Sequence, residues 1–243
     1  MNKIWIGNGQ LVLPDKIVPG GSVLLEGKKI AAVNVPCPPD ARRVDVDGSY
    51  IMAGFVDLHV HGGGDSDFMD EDASAFPTIA KAHCAHGTTA LCPTTMTCAD
   101  SLLEKTIDLF LEADKEPENG AELLGLHLEG PYFSAASKGA QPIGEQRIPE
   151  REDLERILRR AKGSILRWDA APELPNMELF AKVMAENGVL TSLAHSAATA
   201  PEARPAGHRK KREVPPRKRR NLRYVPLPDY SSAPSGSATR IRP

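Results

Sequence analysis

His59 and His61 are the residues of this 243-residue chain that first suggest chemistry, in the stretch "GFVDLHVHGGG" (residues 54–64). Side chains alternate between the two faces of a strand, so histidines two residues apart share a face and can bind one ion. Imidazole nitrogens suit divalent zinc or iron. A His-x-His pair alone is weak support, because many strand histidines only form hydrogen bonds. Its place at a strand end, directly before three glycines, favours an open metal site.

Two further predicted strands end in polar side chains of the same kind. "LLGLHLEGP" carries Glu129, and "LAHS" carries His195. Because reactive groups gather at the carboxyl ends of the strands of a parallel barrel, we expect these side chains to meet the two histidines. The sequence therefore predicts a divalent metal site, for one or two ions of zinc or iron, formed by His59, His61, Glu129 and His195.

Other polar residues receive lesser roles. Asp57 and His127 each lie one step deeper on the same strand faces as the predicted ligands, and we expect them to orient those ligands. His83 and His86 are three residues apart in a predicted helix. They are interpreted as a solvated or partly packed helix face, because most surface histidines bind nothing.

Strand-like and helix-like segments alternate after residue 52, which predicts β-α-β crossovers and a parallel sheet. Helices are predicted around 73–86, from Asp100, from Pro149 and from Asn176, which we expect to cap its helix. An α/β fold with five such strands fits either an open doubly wound sheet or part of a (β/α)8 TIM-type barrel, and reactive groups at the strand ends favour the barrel. The predicted strands are 55–61, 89–94, 123–129, 165–170 and 189–195.

Bulk composition is that of a soluble globular protein, with 41% apolar and 26% charged residues. No apolar run reaches the length of a membrane span or a signal peptide, so a cytoplasmic protein without a membrane association is expected. The four cysteines form no Cys-x-x-Cys pair, which predicts reduced thiols.

Three regions are predicted: a small β-rich unit over 1–52, a partial barrel over 53–200, and a basic, proline-rich tail over 201–243. Residues 1–200 carry 18 Lys and Arg against 29 Asp and Glu, whereas the tail carries 12 against 3 and eight of the 21 prolines. A basic nucleic-acid-binding arm, a disordered tail without a specific role, and a lost reading frame all fit this change of composition. The abruptness of the change favours the lost frame.

The stretches "AGFVDLHVHGGG", "LLGLHLEGPYFS", "KGAQP" and "LAHSAAT" resemble the metal-dependent amidohydrolase superfamily, and within it the N-acetylglucosamine-6-phosphate deacetylase family. The resemblance implies a (β/α)8 barrel with a small β-sandwich. It also implies metal-assisted hydrolysis of the acetamido group of a small-molecule amino-sugar phosphate, giving glucosamine 6-phosphate and acetate in amino-sugar catabolism. A homodimer is implied as well.

The same resemblance assigns roles by position. Glu129 and His195 match the family's metal ligands, and the two early histidines match the pair that binds a second ion in dinuclear members. Ala140 and Gln141 match the residues that contact the sugar. A metal-binding histidine on the sixth strand and a proton-transferring aspartate on the eighth have no counterpart here. The catalytic proton carrier is therefore unknown, and we expect a truncated or frame-shifted product after about residue 200 with little or no activity.

Two alternative functions remain open. One is an amidohydrolase acting on a cyclic amide, although such enzymes use a carboxylated lysine where this chain has Glu129. The other is a non-enzymatic nucleic-acid-binding protein acting through residues 204–223, and the lack of aromatic residues for base stacking in that segment argues against it.

Overall fold

A computed structural model describes residues 3–27, 29–142 and 144–203 of the chain. The predicted basic tail therefore lies outside the described residues from 204 onward, together with its proposed disorder and its nucleic-acid site. No helix within the described ranges is both long and apolar enough to cross a membrane.

The amino-terminal segment forms a five-stranded sheet, as the turn-rich β pattern predicts. Its central strand, Lys3–Val12, pairs antiparallel with Ile17–Glu26 and parallel with Arg42–Asp45 and Tyr50–Ile51, and Lys29–Val33 extends the sheet beyond Ile17–Glu26. The small apolar cluster of this sheet includes Leu11, Val23, Leu25 and Ile51, and it is separate from the main core. The strands are β1 (Lys3–Val12), β2 (Ile17–Glu26), β3 (Lys29–Val33), β4 (Arg42–Asp45) and β5 (Tyr50–Ile51).

The remaining described residues form a parallel sheet covered by helices, plus a small hairpin. The hairpin pairs β7 (Gly62–Gly63) with β8 (Ser66–Asp67) directly after the histidine pair. The parallel strands are β6 (Phe55–Val60), β9 (Thr88–Thr95), β10 (Glu122–Leu123), β11 (Leu126–Glu129), β12 (Ile165–Ala170) and β13 (Leu190–Leu193).

Strand order separates the two folds that periodicity left open. Strand β9 pairs with β6 on one side and with β10 and β11 on the other, and β12 and β13 follow in turn. Each strand thus lies beside its neighbour in the chain, with no reversal of order. A doubly wound sheet requires such a reversal, whereas a barrel is built in consecutive order. This parallel sheet and its helices therefore form part of a TIM-type barrel.

Four helices pack on one face of this sheet and bury the main core. Buried side chains recur along each helix, for example Leu103, Ile107 and Phe110, because residues three and four apart share a helix face. Trp168 is completely buried and contacts the aromatic rings of Tyr132 and Phe180. The helices are α1 (Ala75–Cys84), α2 (Asp100–Glu112), α3 (Arg151–Ala161) and α4 (Met177–Glu186).

The predicted strand 123–129 is interrupted between β10 and β11. Gly125 lies at the break with φ +147°, and a Cβ atom there would come within 2.5 Å of Leu166 Cγ. Glycine permits this close approach, and the pairing resumes at Leu126. The break precedes His127 and Glu129, so their side chains keep the predicted face.

Asn176 does not act as predicted. It occupies the position before α4, but its side chain makes no capping bond and instead donates to Pro149 O at 3.1 Å. His83 lies on the helix and is partly packed, with its Nε2 3.1 Å from Gly62 O, whereas His86 is exposed in the turn after that helix and not on its face as predicted.

The first barrel strand departs from prediction in its burial. Strand alternation puts Val56, Leu58 and Val60 on the face opposite the histidines, which predicts that they pack under helices, yet Val56 and Leu58 are 47% and 53% exposed and only Val60 joins the core. Strand β6 pairs only with β9 within the described residues, so its outer edge has no covering element there. An edge strand lacks the neighbours that would bury it.

Candidate metal centre

The histidine pair sits at the carboxyl end of β6, where alternation brings both rings to the inner face of the sheet. His59 Nε2 lies 3.2 Å from His61 Nε2. His61 Nδ1 lies 3.2 Å from the carbonyl oxygen of Thr94 and therefore donates its proton there. That hydrogen bond fixes the ring so that Nε2 carries the lone pair, which is the arrangement of a metal-binding histidine.

Glu129, the last residue of β11, lies between the histidines. Its Oε2 is 3.2 Å from His61 Nε2, and its Oε1 is 3.9 Å from His59 Nε2 and 3.0 Å from His195 Nε2. The side chain is 8% exposed, so the carboxylate is largely withdrawn from water. The structure therefore brings all four predicted ligands together around one carboxylate.

The position of His195 in the site does not follow from strand alternation. We predicted that it ends a strand, but β13 ends at Leu193 and His195 lies two residues further on, in the left-handed region with φ +47°. Its Nδ1 lies 3.1 Å from Ser137 O and donates there, which directs Nε2 at Glu129. The turn after the strand, and not the pleat, sets the direction of this ring.

The charges of the site are strongly coupled. Burial raises the pKa of Glu129, but the hydrogen bonds from His61 and His195 and the nearby His59 outweigh burial and lower it to about 2. The hydrogen bond to Glu129 raises the pKa of His61, whereas burial lowers the pKa of His59. The negative charge of Glu129 and a proton on His61 thus favour each other.

These residues fit a divalent metal ion. In the neutral rings of His61 and His195 the Nε2 lone pair faces the Glu129 carboxylate, an arrangement that repels unless a proton or a metal cation lies between them. Two ligands of one zinc ion are separated by about 3.3 Å when the metal–ligand bonds are about 2.0–2.1 Å and tetrahedral. The spacing of 3.2 Å from His61 Nε2 to both His59 Nε2 and Glu129 Oε2 matches that value. His59, His61 and Glu129 satisfy the spacing for a common ion.

Behind the ligands lies a buried polar pair, His127 and Asp169. His127 Nε2 is 3.0 Å from Asp169 Oδ2, and the side chains are 0% and 1% exposed. Burial raises the pKa of Asp169, but contacts with His127, Ser192 and Arg167 lower it to about 2. The sequence analysis did not identify Asp169. The signal was present, because Asp169 is a carboxylate near the end of the apolar strand 165–170, and Glu129 was identified from the same kind of position.

Asp57 contacts the backbone near the metal site and not, as its strand face had predicted, a ligand side chain. Its Oδ1 accepts a hydrogen bond from the backbone nitrogen of His59 at 3.1 Å, at the point where the pairing of β6 with β9 becomes irregular. Asp57 therefore contacts the backbone that carries His59, and a contribution to ligand orientation stays a prediction.

The predicted sugar-contacting residues lie beside the site, in the loop after β11. Ala140 is exposed, whereas Gln141 is buried and accepts a hydrogen bond from Thr97 N at 2.8 Å. Gly139 adjoins the ring of His195. The side-chain oxygen of Gln141 thus ties this loop to the end of β9, and contact with a sugar stays a prediction.

We expect Gln141→Ala to lower the free energy of unfolding by about 1–3 kcal/mol, because it leaves the buried Thr97 N–H without a partner. Urea unfolding measures this loss. Gln146→Ala is the control, since the hydrogen bonds of Gln146 stay within its own loop. An effect no larger than that of the control would contradict the role of Gln141 in holding the loop.

Residues 50–211 match the Amidohydrolase family, which is more than half of the chain. The chain belongs to the amidohydrolase family. Among solved structures, this amidohydrolase is similar to N-acetylglucosamine-6-phosphate deacetylase from Pasteurella multocida, with a TM-score of 0.74 and 27% identity over 82% of this chain and 52% of that one. This similarity agrees with the partial barrel described above.

Curated relatives of the amidohydrolase carry related names. N-acetylglucosamine-6-phosphate deacetylase of Lysinibacillus sphaericus is 31% identical over 65% of this chain and 41% of its own length. N-acetylgalactosamine-6-phosphate deacetylase of Escherichia coli O157:H7 is 27% identical over 83% of this chain and 50% of its own length. The resemblance predicted from the sequence motifs is confirmed, and the chain spans about half the length of the relatives it matches.

Proposed function

We propose that this chain is a metal-dependent deacetylase of N-acetylglucosamine 6-phosphate, releasing acetate and glucosamine 6-phosphate in amino-sugar metabolism. The observation that carries the proposal is the convergence of His59, His61 and His195 on the buried carboxylate of Glu129. Such a set of nitrogen and oxygen ligands is suited to assisting the hydrolysis of an amide. The names of the relatives supply the substrate class.

We assign a separate role to each group of residues in the site. His59, His61, Glu129 and His195 would hold one or two zinc or iron ions, which when bound would supply the Lewis acidity that activates water and polarises an amide carbonyl. Thr94 O and Ser137 O hold the rings of His61 and His195 so that their Nε2 atoms face the ion. Ala140 and Gln141 would contact the sugar, and Asp57 and His127 would keep the ligands oriented.

A slow reaction is part of the proposal. The sequence contains no counterpart of the histidine and the aspartate that the family places on its sixth and eighth strands. A general acid is needed to protonate the leaving amine, and its loss typically costs a factor of about 10²–10⁴ in rate.

The proposal also includes the three regions predicted from the sequence, a cytoplasmic location and a homodimer. The dimer is tested by the molar mass in light scattering.

The cyclic-amide alternative has less support. Glu129 occupies the place of the carboxylated lysine expected for that class, and the named relatives act on acetamido sugars. Nothing among the described residues favours nucleic-acid binding, because the basic segment 204–223 lies outside them.

The test is acetate release by the purified chain, at high protein concentration and with added Zn²⁺ or Fe²⁺. We expect slow hydrolysis of N-acetylglucosamine 6-phosphate that stops after chelation and returns with metal. N-acetylgalactosamine 6-phosphate, unphosphorylated N-acetylglucosamine and dihydrouracil serve as comparison substrates. Hydrolysis of dihydrouracil without release of acetate from either sugar phosphate would overturn the proposal.

A further inference from the structure

A second polar cluster lies deeper in the barrel than the ligands described above. It consists of His127, Asp169 and His59, whose ligand atoms all lie within 4.8 Å of one another. The ring centroids of His59 and His127 are 5.0 Å apart. His127 and Asp169 are fully buried, so bulk water does not compensate their polar atoms.

The hydrogen bonds of Thr94 determine where the proton of His127 lies. Thr94 Oγ1 donates its single hydrogen to Cys92 O at 3.0 Å and accepts one from Val60 N at 3.0 Å. Toward His127 Nδ1, at 3.3 Å, the hydroxyl oxygen can therefore only accept. Nδ1 carries the proton, and in the neutral ring Nε2 carries a lone pair.

That lone pair faces an anion. His127 Nε2 lies 3.0 Å from Asp169 Oδ2 without the geometry of a hydrogen bond, so this buried nitrogen contacts the carboxylate but has no hydrogen-bond partner. Two lone-pair-bearing atoms at this distance repel each other unless a proton or a metal cation lies beside both. Two ligands of one divalent ion are about 3 Å apart when each metal–ligand bond is about 2.0–2.2 Å.

The other carboxylate oxygen of Asp169 already accepts two hydrogen bonds. Its Oδ1 accepts a hydrogen bond from Arg167 Nε at 3.0 Å and one from the hydroxyl of Ser192. These donors fix the carboxylate and leave Oδ2 directed at His127. The charge of Arg167 also weakens the attraction of Asp169 for another cation.

We propose that His127 and Asp169, with His59 as the third ligand, form a second divalent-cation site beneath the site of Glu129. This inner site binds more weakly than the outer one, because Arg167 already compensates its carboxylate. It takes ions that accept two imidazoles and one carboxylate, such as Zn²⁺, Fe²⁺ or Co²⁺. The proposal concerns binding, and it stands whether or not the chain is a deacetylase.

Co²⁺ binding to a variant with a disabled outer site tests the proposal. The double variant His61→Asn, Glu129→Gln keeps all three inner ligands, and we expect it to bind about one equivalent of Co²⁺ at millimolar concentration in equilibrium dialysis. Adding Asp169→Asn should weaken that binding at least about tenfold, the effect typical of disturbing a metal site. Adding Asp153→Asn, on the exposed face of α3, is the matched control and should change nothing.

Crystals of the unaltered chain provide a measurement that does not depend on the folding of variants. After a millimolar Co²⁺ soak, we expect an anomalous peak about 2.0–2.2 Å from both His127 Nε2 and Asp169 Oδ2. A peak beside Glu129 with none beside Asp169 would overturn the inner site and leave the proposed function intact. Equal Co²⁺ binding with and without Asp169→Asn would overturn it as well.

Discussion

Replacing Glu129 with glutamine is expected to weaken the binding of Zn²⁺ by a factor of about 100 or more, beyond the range of about 10–100 seen for residues that merely support ligands. Glutamine keeps the size of the side chain but removes the negative charge at the centre of His59, His61 and His195. Equilibrium dialysis with metal analysis of the purified chain measures the loss. Metal-dependent acetate release should fall with it.

Glu155→Gln is the matched control for that experiment. Glu155 lies on α3, where its carboxylate pairs with Arg151 and Arg159. It contacts none of the proposed metal ligands. The same chemical change there should leave metal binding unchanged. Full Zn²⁺ affinity in Glu129→Gln would show that the three histidines suffice, and it would remove the carboxylate from the proposed site.

Replacing Trp168 with alanine is expected to lower the free energy of unfolding by about 3–5 kcal/mol, as for other large-to-small changes in a core. Trp168 is completely buried between Tyr132 and Phe180, and its Nε1 donates to Gly130 O at 2.8 Å. Since domains are stable by only about 5–15 kcal/mol, this change removes a large share of the total. Urea unfolding followed by circular dichroism measures it.

Trp168→Phe separates the two contributions. Phenylalanine keeps an aromatic ring in the core but cannot donate to Gly130 O, so we expect a smaller loss of about 1–3 kcal/mol. Because Gly130 follows Glu129, this variant should also weaken Zn²⁺ binding. Tyr50→Ala, at a 69% exposed position, should change stability by no more than about 0.5 kcal/mol. Equal stability of Trp168→Ala and Tyr50→Ala would contradict the packing argument.

Local patterns in the sequence predicted the helices, the barrel strands and the four residues that surround the candidate metal position. The reason is that strand alternation and helical periodicity depend only on neighbours in the chain. The alternation in "LHLE" placed Leu126 and Leu128 in the core and His127 and Glu129 on the inner face, and the structure has them there.

Only the tertiary structure determined the order of the strands, their register and the contacts between residues of different strands. Consecutive strand order identified the barrel, because periodicity within a strand carries no information about which strands pair. The register of β11 with β12 sets Glu129 opposite Asp169 and brings the latter's carboxylate beside His127. The left-handed turn at His195 directs its ring at Glu129. The sequence by itself determined which residues carry the chemistry, and packing between strands determined which of them meet.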